Sequence, residues 1–156
     1  MLRIEISNCQ AAFEFDADRL KRAAEAILRD AGIASAALSI AVVDDPTIHQ
    51  LNRQFLDHDE PTDVLSFVLQ HEHGHLEGEV IVSAETAVGS AARYGWTPED
   101  ELSLYVIHGT LHLVGYDDHT DDQRAAMRSG ERRYLALLGL EAREEPLADS
   151  PPLGET

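Results

Sequence analysis

The order of apolar and polar residues along the chain predicts four strands. Residues 2–7 alternate strictly between apolar and polar side chains, the pattern of a strand with one buried face. Residues 38–43, 64–69 and 79–82 are mostly apolar runs of strand length, and each of them predicts a further strand. The last two flank a His- and Gly-bearing segment, His71 to Gly78, which predicts a hairpin with a longish loop.

Five further segments have apolar residues at helical spacing, together with residues that start and stop helices. Their starts carry Asp, Ser or Thr side chains that can cap exposed backbone N–H groups, and four of them end close to a glycine. The predicted helices run from Asp16 or Asp18 to Ala31, from Asp45 through Phe55, from Ser83 to Gly95, from Thr97 to Gly115 and from Thr120 to Gly139. Because strands come early and helices dominate late, we expect an α+β fold, with a roughly four-stranded mixed sheet packed with about five helices.

Chain length and composition predict the number of domains, the extent of the folded region and the cellular compartment. The 156 residues are close to the commonest size of one domain, and apolar periodicity is lost after Glu141. We therefore expect a single domain over residues 1–140 and an acidic, disordered tail over residues 141–156. No apolar run approaches the ~20 residues of a transmembrane helix, and the only cysteine, Cys9, has no internal disulfide partner. These features predict a cytoplasmic protein.

Net charge alone leaves the substrate open. The formal charge of −17 argues against a nucleic-acid partner, because phosphate binding depends on Lys and Arg. However, part of the acid lies in the C-terminal stretch, and 11 of the 12 basic residues are Arg, which binds phosphate well. The first predicted helix carries several basic residues, for which a solvated helix face is the simpler interpretation. These residues are Arg19, Lys21, Arg22 and Arg29.

Two histidines in the fourth predicted helix have the spacing of metal ligands. His108 and His112 are four residues apart, so their rings leave one face of the helix about 6 Å apart along its axis. Two imidazoles placed this way can bind one zinc ion. The chain turns at Gly115 and presents His119 as a third ligand, which leaves the fourth position for water. The sequence therefore predicts one Zn²⁺ per chain, held on a central helix.

A second histidine cluster literally matches the H-E-x-x-H pattern of zinc proteases. It comprises residues His71 to His75, with Glu72 in the position of the catalytic base. That mechanism requires a helix, whereas Gly74 and the flanking strand patterns predict a loop. We therefore expect at most adventitious metal binding there. In the helix site, Gly109 occupies the position where a zinc protease has its catalytic Glu, which also weighs against proteolysis.

Three blocks of sequence resemble one known family. Residues His108 to Asp117 are similar to the signature of the YbeY family, the single-strand-specific, zinc-dependent endoribonucleases. Leu51-Asn52 with Asp59 to Phe67, and Leu76 to Ser83, resemble two other motifs of that family in the same register, which runs from about residue 1 to residue 139. The resemblance implies an enzyme of 16S ribosomal RNA 3′-end maturation and ribosome quality control. It also implies ribosomal RNA, the small ribosomal subunit and assembly factors as partners.

The chain departs from the family pattern at two positions. The family's usual Gly-Tyr-Asp-His is one residue longer here, so Asp118 occupies the slot of the third ligand. We expect His119 to bind through a bulged loop, with Asp118 as the alternative third ligand. Many relatives also carry an Arg implicated in catalysis where this chain has Leu56. Arg53 is the candidate to supply that charge to the substrate.

The sequence does not identify a general base. Glu79, Asp63 and Ser66 are candidates because they lie in the matching blocks, although Asp63 and Ser66 fit equally well as residues that fix a turn and a strand end. Two other functions remain open. One is a ribosome-assembly factor without catalysis, in which the metal is structural, and the other is a metallopeptidase-like hydrolase. A basic groove beside His108 would favour RNA as the partner over a peptide.

Overall fold

The computed structural model describes residues 1–56 and 63–141, without the side chains of Phe55 and Leu56. The predicted tail after residue 141 and the Asp59–Thr62 part of the family motif lie outside the described residues. The strands are β1 (Leu2–Asn8), β2 (Ser35–Val43), β3 (Val64–Glu72) and β4 (His75–Ser83). The helices are α1 (Ala17–Asp30), α2 (Asp45–Leu56), α3 (Ala84–Tyr94), α4 (Pro98–Leu113) and α5 (Asp121–Leu137).

The four strands form one mixed sheet in the order β1-β2-β4-β3. β1 is parallel to β2, β2 is parallel to β4, and β3 pairs antiparallel with β4 at the edge. Five helices in the described part of the chain pack around this sheet, so the predicted α+β architecture is confirmed.

Local capping explains why the helices begin where they do. The Asp16 side chain accepts the N–H of Asp18 to start α1, and the Ser83 side chain accepts the N–H of Thr86 to start α3. Thr97 and Thr120 each form a reciprocal capping box at the starts of α4 and α5. The predicted start signals are therefore confirmed at these four helices.

Helix α4 is the centre of the molecule. One face of the sheet, which includes Ile40, Val80 and Val82, packs against α4, and α1, α3 and α5 surround the rest of the helix. As a result, α4 is buried on nearly all sides from Glu101 to Leu111. Side chains projecting from α4 are thus held firmly in place. The opposite face of the sheet carries α2 and a smaller apolar cluster.

The β3–β4 hairpin is longer and tighter than the sequence analysis expected. Both strands continue to Glu72 and His75, so the predicted longish loop is wrong and only His73 and Gly74 form the turn. Both turn residues have positive φ, 54° for His73 and 76° for Gly74. A two-residue turn with this geometry matches the right-handed twist of the strands, which explains why the polar His-Glu segment stays paired.

None of the helices in the described ranges is long and apolar enough to cross a membrane. The only cysteine of the chain, Cys9, is exposed and free.

Candidate metal centre

The two predicted ligands on α4 face each other across one turn of the helix. The Nε2 atoms of His108 and His112 are 3.1 Å apart, and their rings meet edge to face with centroids separated by 4.7 Å. His108 is buried and His112 is partly buried. Helical spacing has therefore brought two imidazole nitrogens to one point at the wall of a cleft.

Gly109 lets α4 lie close to the sheet at this point. A Cβ at residue 109 would stand 2.7 Å from Cγ1 of Val80 and 3.0 Å from both the Ser66 hydroxyl and a methyl of Val64. The Ser66 hydroxyl donates to the Gly109 carbonyl at 3.1 Å, which ties β3 to the helix. No larger side chain fits here, so the position that carries the general base in zinc proteases is closed to a carboxylate.

Glu131 on α5 orients the first histidine. Its Oε2 lies 2.7 Å from Nδ1 of His108, and Glu131 is itself buried. This contact fixes the His108 ring so that Nε2 points into the cleft, as carboxylates behind metal-binding histidines commonly do. Sequence reasoning missed Glu131, because the contact joins residues 23 positions apart on two helices and no local pattern signals it.

The two rings differ in their affinity for protons. Burial works against a charged His108, but the hydrogen bond and charge of Glu131, with Asp63 and Asp118, outweigh it and raise the pKa of His108 above its usual value. Burial lowers the pKa of His112, and the neighbouring His108 lowers it further. The pKa values of the two facing rings are therefore shifted in opposite directions from that of a free imidazole.

The loop after α4 brings an aspartate to the two rings. Gly115 adopts a φ of 108°, which a side chain would disfavour, and turns the chain back toward the helix. Asp118 Oδ2 then lies 3.6 Å from Nε2 of His112 and 3.9 Å from Nε2 of His108. The structure places His119 elsewhere, with its Nε2 3.0 Å from Asp117 Oδ1 at the rim of the cleft.

These side chains line an open cleft of about 380 Å³ between α4, β3 and the loop. Two of the candidate catalytic residues, Asp63 and Ser66, line it as well. Glu79 alternates with Val80 on β4 and therefore lies on the sheet face opposite α4. Arg53 lies on α2, which covers that same opposite face. The described lining includes three aspartates and contains neither Lys nor Arg.

The donor set of the cleft fits a divalent metal ion. His108, His112 and Asp118 place one nitrogen or oxygen atom each within 4.8 Å of one another, and Asp117, Asp118 and His119 form a second such group. The Asp118 Oδ1 atom is buried and lacks a hydrogen-bond partner among the described residues. A buried carboxylate oxygen without a hydrogen-bond partner is unfavourable, and a cation bound beside it would offset that cost. This group could hold a metal through two imidazoles and a carboxylate.

The hairpin cluster does not form a comparable group in the described part of the chain. His75 has both ring nitrogens engaged, Nδ1 with the Ser35 hydroxyl at 2.8 Å and Nε2 with Glu77 Oε2 at 3.0 Å. The His73 side chain is 92% exposed. Since His71 and His75 lie on paired strands and not on a helix, the H-E-x-x-H spacing carries none of its usual geometry here.

Comparison with known proteins agrees with this architecture. The chain is 43% identical to "Endoribonuclease YbeY" of Rhodopirellula baltica, over 85% of this chain and 70% of that protein. It is 38% identical to the protein of the same description from Syntrophotalea carbinolica, over 86% and 95% of the two chains. The solution structure of TM1509 from Thermotoga maritima superposes with a TM-score of 0.62 at 31% identity, covering 88% of this chain and 89% of that one.

The family comparison covers all the elements of the fold except the first part of β1. The family described as "Endoribonuclease YbeY" matches residues 5–139, which contain both α4 histidines, the loop after them and Glu131. With a match over most of the chain and relatives of 35–43% identity, the chain belongs to the YbeY endoribonuclease family.

Proposed function

We propose that this protein is a single-strand-specific, zinc-dependent endoribonuclease whose metal is held by His108, His112 and one residue of the loop after α4. The observation that carries the proposal is the convergence of two imidazole nitrogens and a loop carboxylate in an open cleft. The relatives are described as endoribonucleases, which supports RNA as the substrate. A bound zinc ion would supply an activated water and polarise a phosphoryl oxygen.

The charge of the cleft supports a role for a cation in substrate binding. Asp63, Asp117 and Asp118 line it, and among the described residues no basic side chain offsets them. A phosphodiester would be repelled by this lining alone. The basic groove that would favour RNA over a peptide as partner is not found in the described lining. We propose that a divalent cation attracts the phosphate instead.

Among the candidate catalytic residues, Asp63 has the most suitable position. Its side chain lies in the cleft, is almost fully buried, and acts electrostatically on His108. We propose that Asp63 accepts the proton from the attacking hydroxyl or water. Ser66 donates its hydroxyl to the Gly109 carbonyl, so its proposed role is to hold α4 against β3. Neither Glu79 nor Arg53 is placed in the cleft, and neither has a role in this proposal.

Apolar surface next to the metal site supports a preference for unpaired RNA. Val68 and Tyr116 line the cleft and are 52% and 37% exposed. Bases released from a duplex can stack on such surfaces, whereas paired bases cannot.

On the basis of family membership, we further propose action in the cytoplasm on the 3′ end of 16S ribosomal RNA and in ribosome quality control, with the small subunit and assembly factors as partners.

The fold itself argues against a purely structural metal. The buried His108–Glu131 pair and the large apolar core already join α4 to α5. Metal removal should therefore abolish cleavage while the protein still unfolds cooperatively on heating. Proteolysis is disfavoured separately, because no carboxylate fits at Gly109.

Cleavage of a labelled RNA oligonucleotide, free or annealed to its complement, tests this function. We expect the wild type to cut the single strand, chelation to stop cleavage, and zinc to restore it. His112→Ala and Asp63→Asn should each slow cleavage at least about 100-fold, a loss of roughly 2.7 kcal/mol in transition-state stabilisation. Glu79→Gln, on the opposite sheet face, is the matched control and should cleave normally. Undiminished cleavage by His112→Ala, or equal cleavage of duplex, would contradict the proposal.

A further inference from the structure

The structure distinguishes between the two candidate third ligands of the loop. Asp118 Oδ2 and the two Nε2 atoms of the α4 histidines form a triangle with sides of 3.1, 3.6 and 3.9 Å. The point in their plane that is equidistant from all three atoms lies about 2.1 Å from each, which is the length of a zinc–nitrogen or zinc–oxygen bond. The three donor atoms are thus already at ligand distance from a common centre.

The backbone of His119 is tied to the start of α5, and its ring joins Asp117 and Asp118 but is not in the group that contains the α4 histidines. Its backbone N–H donates to Gln123 Oε1 at 2.9 Å, and the same oxygen accepts the N–H of Thr120 in the capping box. Its ring contacts Asp117 and its side chain is 45% exposed. Moving the imidazole to the α4 histidines would require the His119 backbone to shift and would disturb this cap.

The surroundings of Asp118 favour a positive charge beside its carboxylate. Its side chain is only 20% exposed, and the negative charges of Asp63 and Glu131 act on the same His108 ring. Arg124, which lies nearby, donates to the backbone carbonyls of Asp118 and His119 and pairs with Asp121, so it stabilises the loop backbone. The two imidazoles lie within ion-pair distance of the Asp118 carboxylate, and a cation bound between them would add to that compensation.

We infer that the metal of this chain is bound by His108, His112 and Asp118, with a carboxylate in the place of a third imidazole. This inference rests on the proposed metal centre and specifies its donor set. An anionic oxygen is a harder ligand than imidazole, and it suits ions such as Mn²⁺ better. The site should therefore discriminate less between zinc and manganese than a site made of three histidines.

Metal affinity in four forms of the full chain tests this donor set. The untagged wild type, Asp118→Ala, Asp118→His and His119→Ala are stripped of metal, and zinc and manganese affinities are measured by competition with a chromophoric chelator. We expect Asp118→Ala to lose zinc affinity at least about 100-fold and His119→Ala to stay within about threefold of wild type. Asp118→His should retain zinc and raise the zinc-to-manganese affinity ratio at least about tenfold.

The controls separate this inference from the function on which it rests. Far-UV circular dichroism and thermal unfolding of each metal-free variant show whether a loss of metal affinity reflects loss of the fold. If Asp118→Ala unfolds, Asp118→His still tests the donor set. A loss of zinc in His119→Ala as large as in Asp118→Ala, or zinc retained in Asp118→Ala, would overturn the inference and leave the proposed nuclease standing. Zinc binding that survives His112→Ala would overturn both.

Discussion

Two pairs of histidines in this chain are four residues apart, and their surroundings are opposite. His108 and His112 lie on one helix with their Nε2 atoms 3.1 Å apart, whereas His71 and His75 lie on two paired strands with a turn between them. The rings on the helix border a cleft, whereas both ring nitrogens of His75 already form hydrogen bonds, with Ser35 and Glu77. Spacing therefore indicates metal binding only once the secondary structure that carries it is known.

Each pair has one histidine bound to a glutamate, and this gives the sharpest comparison. The His108–Glu131 contact is 2.7 Å with side chains 9% and 8% exposed, while the His75–Glu77 contact is 3.0 Å with side chains 34% and 42% exposed. Glu131→Gln should weaken zinc binding about 10–100-fold, because it removes the charge behind a ligand. Glu77→Gln should leave zinc affinity unchanged. Chelator competition measures both, and equal losses would break the comparison.

The next largest effect is expected on the free energy of unfolding, where α4 packs against the sheet at Gly109. Gly109→Ala forces a methyl group against Val80 and Ser66, so we expect the free energy of unfolding to fall by about 1–3 kcal/mol. Gly89→Ala is the matched control, since nothing lies within 4 Å of a Cβ on that α3 glycine. The control should be neutral or stabilising by up to about 1 kcal/mol. Urea unfolding of both variants checks the difference, and similar values would contradict this account of Gly109.

The hairpin should depend on its turn and not on metal. Gly74 has a φ of 76°, so Gly74→Ala should lower the free energy of unfolding by about 1–2 kcal/mol. Its zinc content, measured by elemental analysis, should match that of the wild type. A loss of zinc in this variant would show that the hairpin contributes to the metal site.

The smallest expected effect is at the neighbouring turn residue. His73 also has a positive φ, and Asn tolerates this conformation better than His does. His73→Asn should therefore stabilise the protein by a few tenths of a kcal/mol, at unchanged zinc content. Destabilisation by more than about 1 kcal/mol would point to a role for the His73 side chain beyond the turn.

Helix boundaries were readable from sequence because their signals are local. Ser83, Thr97 and Thr120 each cap the helix that follows them through bonds spanning only three residues. Gly95 ends α3 in a left-handed conformation, which the presence of a glycine is enough to predict. Such features depend on neighbours in the chain, so no knowledge of the tertiary structure is required.

The ends of β3 and β4 could not be predicted, because they depend on pairing between the two strands and not on local signals. Residues 70–75 are polar and contain Gly74, so they have the composition of a loop, yet pairing across the turn holds them in the sheet. Strand order was equally hidden, because the parallel pairing of β2 with β4 depends on how α2 and β3 pass between them. The sequence pattern predicts that strands exist but does not predict which strands pair with each other.

The candidate site was predictable in part. Helical spacing alone placed His108 beside His112, whereas Glu131 and the position of Asp118 depend on how α5 and the loop pack against α4. With one extra residue after Gly115, the sequence predicted His119 as the third ligand and Asp118 as the alternative. Both residues line the cleft in the structure, and the packing of the loop brings the Asp118 carboxylate to within 4 Å of both α4 imidazoles.

Metal stoichiometry of the untagged protein tests the central claim most directly. Elemental analysis of the wild type, His112→Ala and His73→Ala compares the helix site with the hairpin in one experiment. The account predicts about one zinc per chain in the wild type, its loss in His112→Ala and its retention in His73→Ala. Absence of metal from the wild type, or loss of metal only in His73→Ala, would contradict it.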